Sequence, residues 1–169
     1  MNAVTQLPIE LVDKLGNAFS VRDYDEANDR AAMEEMYLDF TPKRAAQGLP
    51  PETPYALQRW LAHIMKGGQH LIVIVGGQLR GHLMLIPMED GEGVELAVFL
   101  HQSIRGRGIG TAMNRLAVRL ARENGLKRVW LSVELSNIPA IRSYQKAGFQ
   151  TLTHTVWAAE VEMEVKLTP

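Results

Sequence analysis

Residues 105–111 read Arg-Gly-Arg-Gly-Ile-Gly-Thr. They stand between an apolar run, Val94 to Leu100, and a stretch with Ile109, Met113, Leu116, Ala117, Leu120 and Ala121 at helical spacing. Alternate glycines let a chain turn tightly and expose consecutive backbone N–H groups. At the start of a helix those groups join the positive end of the helix dipole and form a seat for a phosphate or diphosphate. Arg105 and Arg107 are expected to add full charge there, with Arg115, Arg119 and Arg122 following along the helix. Two common nucleotide motifs are excluded. A dinucleotide fingerprint needs G-x-G-x-x-G and an acid about 20 residues on, whereas here the glycines run G-x-G-x-G and residues 124–130 hold no acid. A Walker loop needs Gly-Lys-Ser/Thr, and the chain has no such triplet.

The elements that must hold this loop follow from periodicity and punctuation. Residues 1–18 mix Ile9, Leu11, Val12 and Leu15 with Gly16 and Asn17 and are expected to form a short helix or a draped N-terminal arm. Phe19 to Arg22 reads as a first strand. A helix capped by Asp23 or Asp25 runs to about Leu38, and a second spans Thr53 to Met65 on Leu57, Trp60, Leu61 and Ile64. Between them Pro42, Gly48, Pro50, Pro51 and Pro54 impose a loop. Leu71 to Val75 is a β-branched run suited to burial on both faces; Gly76-Gly77 turns it into Leu79 to Pro87, and Asp90 to Gly93 turns again into Val94 to Leu100. A helix from Arg107 to Glu123, a strand from Val129 to Val133 and a helix from Ile138 to Ala147 come next, closed by Gly148. Phe149 to His154 and Val156 to Leu167 complete the strands; the last alternates Val161, Met163, Val165 and Leu167 with charged residues, as a half-exposed antiparallel strand does. The order strand, helix, strand, helix implies one parallel crossover within an antiparallel sheet.

Length and composition bound the reading. A chain of 169 residues, 46% hydrophobic and 22% charged, suits one domain over residues 1–169 with its own core, residues 1–18 being an extension. The absence of cysteine removes disulfides, a thiolate nucleophile and any zinc site that needs sulfur. A net charge of -1 and a pI near 6.5 argue against nucleic acid as the partner. No apolar run approaches the ~18–20 residues of a membrane helix, and Met1 to Glu10 has no secretory pattern, so a cytoplasmic protein with no membrane partner is expected. His63, His70, His82, His101 and His154 show no ligand spacing; no metal is expected, and each reads as a surface or strand-face residue.

Arg105-x-x-Gly108-x-Gly110 resembles the signature of the GCN5-related N-acetyltransferases (GNAT), and Asn137-x-x-Ala140-x-x-x-Tyr144 followed by Gly148-Phe149 resembles that family's later pattern. Together these cover about residues 94–150. The resemblance implies an α/β (mixed α+β) fold with a mostly antiparallel central sheet and helices on both faces. It implies transfer of an acetyl group from acetyl-CoA, as cosubstrate, to a primary amine of a small molecule or peptide by direct attack in a ternary complex. The other reading open to such a chain is a non-catalytic acyl-CoA sensor. By the same resemblance Arg105, Gly106, Arg107, Gly108, Ile109, Gly110 and Thr111 hold the diphosphate. Val98, Phe99 and Leu100 line the pantetheine where their strand splays from its parallel neighbour, with the Leu100 N–H aimed at the thioester carbonyl. Asn137 touches the cofactor tail and caps the helix that starts at Ile138.

Tyr144 is the candidate general acid, since a phenol with a reference pKa near ~10 is protonated at neutral pH and can donate to a departing thiolate; its other role is a core aromatic. The base is a carboxylate, Glu95 or Glu134, or a chain of waters. Ribosomal-protein acetyltransferases of the family place a glutamate five residues before the Asn; here Ser132 stands there. The first two helices and their loop are expected to wall the acceptor, giving an apolar rim from Tyr37, Phe40, Pro50, Pro51 and Tyr55 with negative charge from Asp39 and Glu52. The alternating last strand offers an edge through which a homodimer can form.

Overall fold

The computed structural model describes residues 4–43, 49–152 and 159–167. The proposed strand segments over 153–158, with His154 and Val156, and the loop residues 44–48, with Gly48, lie outside them. Eight strands form one sheet in the order β1-β2-β3-β4-β5-β6-β8-β7: β1 (Ile9–Val12), β2 (Ala18–Asp23), β3 (Gln69–Val75), β4 (Gln78–Pro87), β5 (Gly93–Leu100), β6 (Arg128–Glu134), β7 (Gln150–Thr151) and β8 (Glu160–Lys166). Every pairing is antiparallel except β5 with β6. The expected mixed fold is the one found. Helix α3 (Ile109–Glu123) makes the crossover that a parallel pair requires.

Helices cover both faces. Alternation along β3 shows how: Leu71 and Val73 enter a core with α3, while Ile72 enters a second core with α1 (Glu26–Asp39) and α2 (Pro54–Ile64). The first core holds Phe19, Leu83, Leu96, Ile109, Met113, Leu116, Leu131 and Met163 under α3, with Tyr144 and Ile141 of α4 (Ile138–Lys146) packed against it. The second holds Met33, Met36, Tyr37, Phe40, Leu57 and Leu61. Local signals explain the helix starts. Asp25 accepts from the Ala27 N–H and Thr53 from the Ala56 N–H, with Pro54 in the first turn of α2.

Three sequence expectations change. Residues 9–12 are a strand rather than a helix or loose arm, because Ile9 and Leu11 alternate inward against the α3 core in register with Val21 and Phe19. Helix α3 starts at Ile109 rather than Arg107, because Gly106 and Gly108 both adopt left-handed φ, at +73° and +79°. The last strand is not a sheet edge over Met163 and Glu164, since β6 pairs on one side and β7 on the other; β1 and β7 are the outer strands.

Candidate active site

The parting of β5 from β6 organises the site. Their parallel register runs only from Gly93↔Arg128 to Glu95↔Trp130. Beyond it β5 stays bound to β4 through Leu100. The His101 N–H bonds to the Arg80 carbonyl and the Met88 N–H to the Gly93 carbonyl. By the alternation of an antiparallel ladder, residues 95, 97 and 99 therefore turn their peptide groups to β4, and Val98 and Leu100 turn theirs into the gap. Arg105 Nε takes the Leu100 carbonyl at 2.9 Å, which leaves the Leu100 N–H. The Val98 N–H has the same orientation, a second donor beside that of Leu100. Phe99 differs from its neighbours: its backbone serves the β4 ladder, and its ring lies against Tyr37, Phe40 and Trp60.

The chain leaves β5 through a 3₁₀ turn at Gln102–Ile104 and enters α3 through Gly106 and Gly108. No side chain caps α3. Its first helical bond runs from the Ala112 N–H to the Gly108 carbonyl, so the N–H groups of Ile109, Gly110 and Thr111 are, among the described residues, the unpaired donors of a helix start. A Cβ on Gly110 would stand 3.4 Å from Leu100 Cδ1 and 3.5 Å from Ser143 Oγ, which shows how closely this turn approaches β5 and α4. Ser143 Oγ also meets Thr111 Oγ1 at 3.1 Å and accepts from Asn114 Nδ2 at 3.0 Å. Asn114, buried and missed at the sequence level, thus ties α4 to α3; a polar residue among the apolar positions of that helix was the signal.

The two arginines differ in how their charge is held. Arg105 donates to the carbonyls of Leu100 and Thr41 and lies over the Phe40 ring, 5.0 Å from its centroid. Arg107 Nε pairs with Asp13 Oδ2 at 2.7 Å. Asp13 sits in the turn between β1 and β2, its side chain fully buried. Burial opposes its ionisation, but the Asn17 N–H, the Arg107 guanidinium and the Leu15 N–H outweigh that and hold its pKa below the usual carboxylate range. The Lys14 N–H donates to the Arg107 carbonyl at 3.0 Å, and the Lys14 stem lies against Gly108.

Asn137 caps α4, its Oδ1 accepting from the Ala140 N–H at 3.3 Å. Tyr144 on that helix packs against the α3 core, as do Val98 and Leu100, and meets Phe149 edge-on at 5.7 Å. Its hydroxyl has no hydrogen-bond partner among the described residues, and burial pushes its pKa up to about 12. Glu95 lies on the sheet face opposite α3, beside Trp130, and partial desolvation raises its carboxyl above the usual range. Glu134 ends β6; its Oε1 is buried without a partner, and its Oε2 accepts from Ser136 Oγ at 3.4 Å.

The expected acceptor rim divides: Tyr37, Phe40 and Pro50 are interior, whereas Asp39, Glu52 and Tyr55 are exposed. Tyr37 is fully buried and Phe40 nearly so, because Trp60, Phe99 and His82 pack around them. Asp39 is 71% exposed, with Oδ2 accepting from His101 Nε2 at 2.8 Å. His82 and His101 are buried, and of the two expectations, surface or strand face, His82 on β4 meets the second. A directed chain explains His82. The Gly67 carbonyl can only accept, so His70 Nε2 donates to it, at 2.8 Å. His70 Nδ1 then accepts from His82 Nε2 at 3.0 Å, and His82 Nδ1 accepts from the Tyr37 hydroxyl at 2.7 Å. Burial, and after it the neighbouring His70, holds the His82 pKa down to about 3, so the ring is neutral. Among the described residues no group of three or more His, Asp or Glu side chains is arranged to hold a metal ion, and no helix is long and apolar enough to cross a membrane.

A mostly antiparallel sheet, parted at its one parallel pair and crossed there by a glycine-led helix, defines a recognisable class. The model of the acetyltransferase (GNAT) family matches residues 30–149, and the chain belongs to that family. The GNAT domain of S. lividans PAT superposes with a TM-score of 0.77 over 95% of this chain and 97% of that one, at 18% identity. The structure of yncA from Salmonella typhimurium, solved with its cofactor acetyl-CoA, gives a TM-score of 0.68 over 90% and 95% of the two chains, at 22% identity. Mycothiol acetyltransferase of Corynebacterium jeikeium (strain K411) is 37% identical over 81 residues, 44% of this chain and 23% of that protein. The chain thus spans about a quarter of that curated relative's length.

Proposed function

We propose that this protein transfers an acetyl group from acetyl-CoA to a primary amine of a small molecule or peptide by direct attack in a ternary complex. The observation that carries this reading is the continuity between the β5–β6 gap and the uncapped start of α3. Amide donors in the gap suit a pantetheine arm and a thioester carbonyl, and those of Ile109, Gly110 and Thr111 suit a diphosphate. Gly106 and Gly108 shape the turn, and Arg105 and Arg107 brace it through Leu100 and Asp13. The family match and the acetyl-CoA bound by yncA support the same donor.

In this reading the amine nitrogen attacks the thioester carbonyl, a C–N bond forms and the C–S bond breaks. The proton lost by nitrogen goes to Glu95, to Glu134 or into water, and Tyr144 delivers one to the sulfur. The raised pKa of Glu95 suits a base working nearer neutrality. A donor aimed at the developing oxyanion contributes on the order of 3 kcal/mol, the role assigned to the Leu100 or Val98 N–H. Asn137 caps α4 and is assigned a contact with the cofactor tail. The protein is expected to act on soluble substrates in the cytoplasm, without a metal.

The test follows free thiol while protein, acetyl-CoA and a panel of amines are mixed, with calorimetry of acetyl-CoA binding alongside. Thiol release with at least one amine is expected. Binding without release for any amine turns the reading into an acyl-CoA sensor, and absence of binding removes both.

A further inference from the structure

We propose that Lys14, on the turn between β1 and β2, contacts the cofactor diphosphate, and that Asp13 and Arg107 are the latch that holds it there. This rests on the reading of the glycine loop as the coenzyme A site. The first support is the rigidity of the turn. Asp13 Oδ1 accepts from the N–H groups of Leu15 at 2.8 Å and Asn17 at 2.9 Å, and the Asp13 N–H bonds to the Asn17 carbonyl at 2.9 Å. The second is its attachment. Asp13 Oδ2 takes Arg107 Nε at 2.7 Å, and the Lys14 N–H takes the Arg107 carbonyl at 3.0 Å, so side chain and backbone both dock on the loop.

The third support is placement. Lys14 Cβ, Cγ and Cδ lie 3.6 to 3.8 Å from where a Cβ on Gly108 would stand, so the aliphatic stem runs along the loop glycine that starts α3. Its ammonium is exposed and has no carboxylate partner among the described residues. The charge balance gives that position its meaning. The guanidinium of Arg107 is matched by Asp13, and that of Arg105 serves two carbonyls and the Phe40 ring. A dianionic group at the loop therefore has amide donors and the fixed charge of Arg105, which two carbonyls hold in place, while Arg107 is matched by Asp13; Lys14 adds a mobile cation from a distant part of the chain. A lysine suits this role as a flexible point charge.

Calorimetry of coenzyme A, dephospho-coenzyme A and pantetheine with the wild type, Lys14→Ala and Lys14→Arg separates the cases. Lys14→Ala is expected to raise Kd for coenzyme A and for dephospho-coenzyme A about fivefold to tenfold, the loss of one charge-assisted contact. Pantetheine binding should not change, the dependence of Kd on salt should become shallower, and Lys14→Arg should restore most of the affinity. Lys14 is exposed, so these variants should keep the wild-type thermal midpoint. Asp13→Asn, which weakens the latch, should raise Kd to a similar degree. Wild-type binding with an unchanged Lys14→Ala Kd and salt slope overturns the proposal while the coenzyme A reading stands. A loss seen with coenzyme A but not with its dephospho form also overturns it, by moving the contact to the ribose phosphate. Failure of the wild type to bind coenzyme A at all removes the underlying reading and this one with it.

Discussion

Tyr144 and Tyr37 show how the same side chain serves two ends. With its pKa pushed up to about 12 and no hydrogen-bond partner among the described residues, the Tyr144 phenol keeps its proton across the neutral range. The sign is that of an acid: burial raises the pKa, so the donor form is lost only above roughly pH 11. Tyr144→Phe should lower kcat on the order of a hundredfold with the KM for acetyl-CoA nearly unchanged. The kcat profile of the wild type should show no loss of an acid between pH 6 and pH 10, and such a loss would assign the proton to another group. Tyr37 is fully enclosed and bonded to His82. Tyr37→Phe strands His82 Nδ1 in the core and should cost about 1–3 kcal/mol in urea unfolding. Residue types told these two apart only in part. The spacing Asn137, Ala140, Tyr144 marked one tyrosine, but nothing local shows that Tyr37 faces a buried histidine 45 positions away. The fates of Arg105 and Arg107 were equally hidden, since Thr41 and Asp13 reach them from distant segments.

Elements were more legible, because periodicity and caps are local. Helix α3 followed from its apolar stripe, α1 from a cap at Asp23 or Asp25, of which Asp25 is the one used, α2 from Thr53 and Pro54, and the β3–β4 hairpin from Gly76-Gly77. β1 was missed because four residues carry only two inward side chains, too short a pattern to separate from a helix turn. The start of α3 was misplaced because the two glycines before it suit both a loop and a frayed first turn. Gly108 gives a test at this scale. Its φ of +79° is unfavourable for a residue with a Cβ, while the space is adequate, the nearest atom being Lys14 Cβ at 3.6 Å. Gly108→Ala should therefore cost about 1–2 kcal/mol through backbone strain rather than collision. Thermal unfolding and acetyl-CoA calorimetry should both register it, the second more strongly if the loop amides hold the diphosphate.

At the scale of the whole molecule, two cores lie on opposite faces of one sheet, the one under α3 drawing on residues from Phe19 to Leu167, and the mixed topology was readable from the order of strands and helices. The outer strands were not, since β8 inserts beside β6 rather than ending the sheet, a choice made by long-range pairing alone. The parallel seam between β5 and β6 is only three residue pairs long. In heavy water that seam should give β5 a two-residue rhythm. The amide hydrogens of Ala97 and Phe99, locked against β4, should survive long after those of Val98 and Leu100 have been replaced by deuterium. Saturation with coenzyme A should erase the rhythm by protecting the fast pair. A strand that is half solvated before its ligand arrives gives spectroscopy a direct gauge of occupancy, one that needs no acceptor and no turnover.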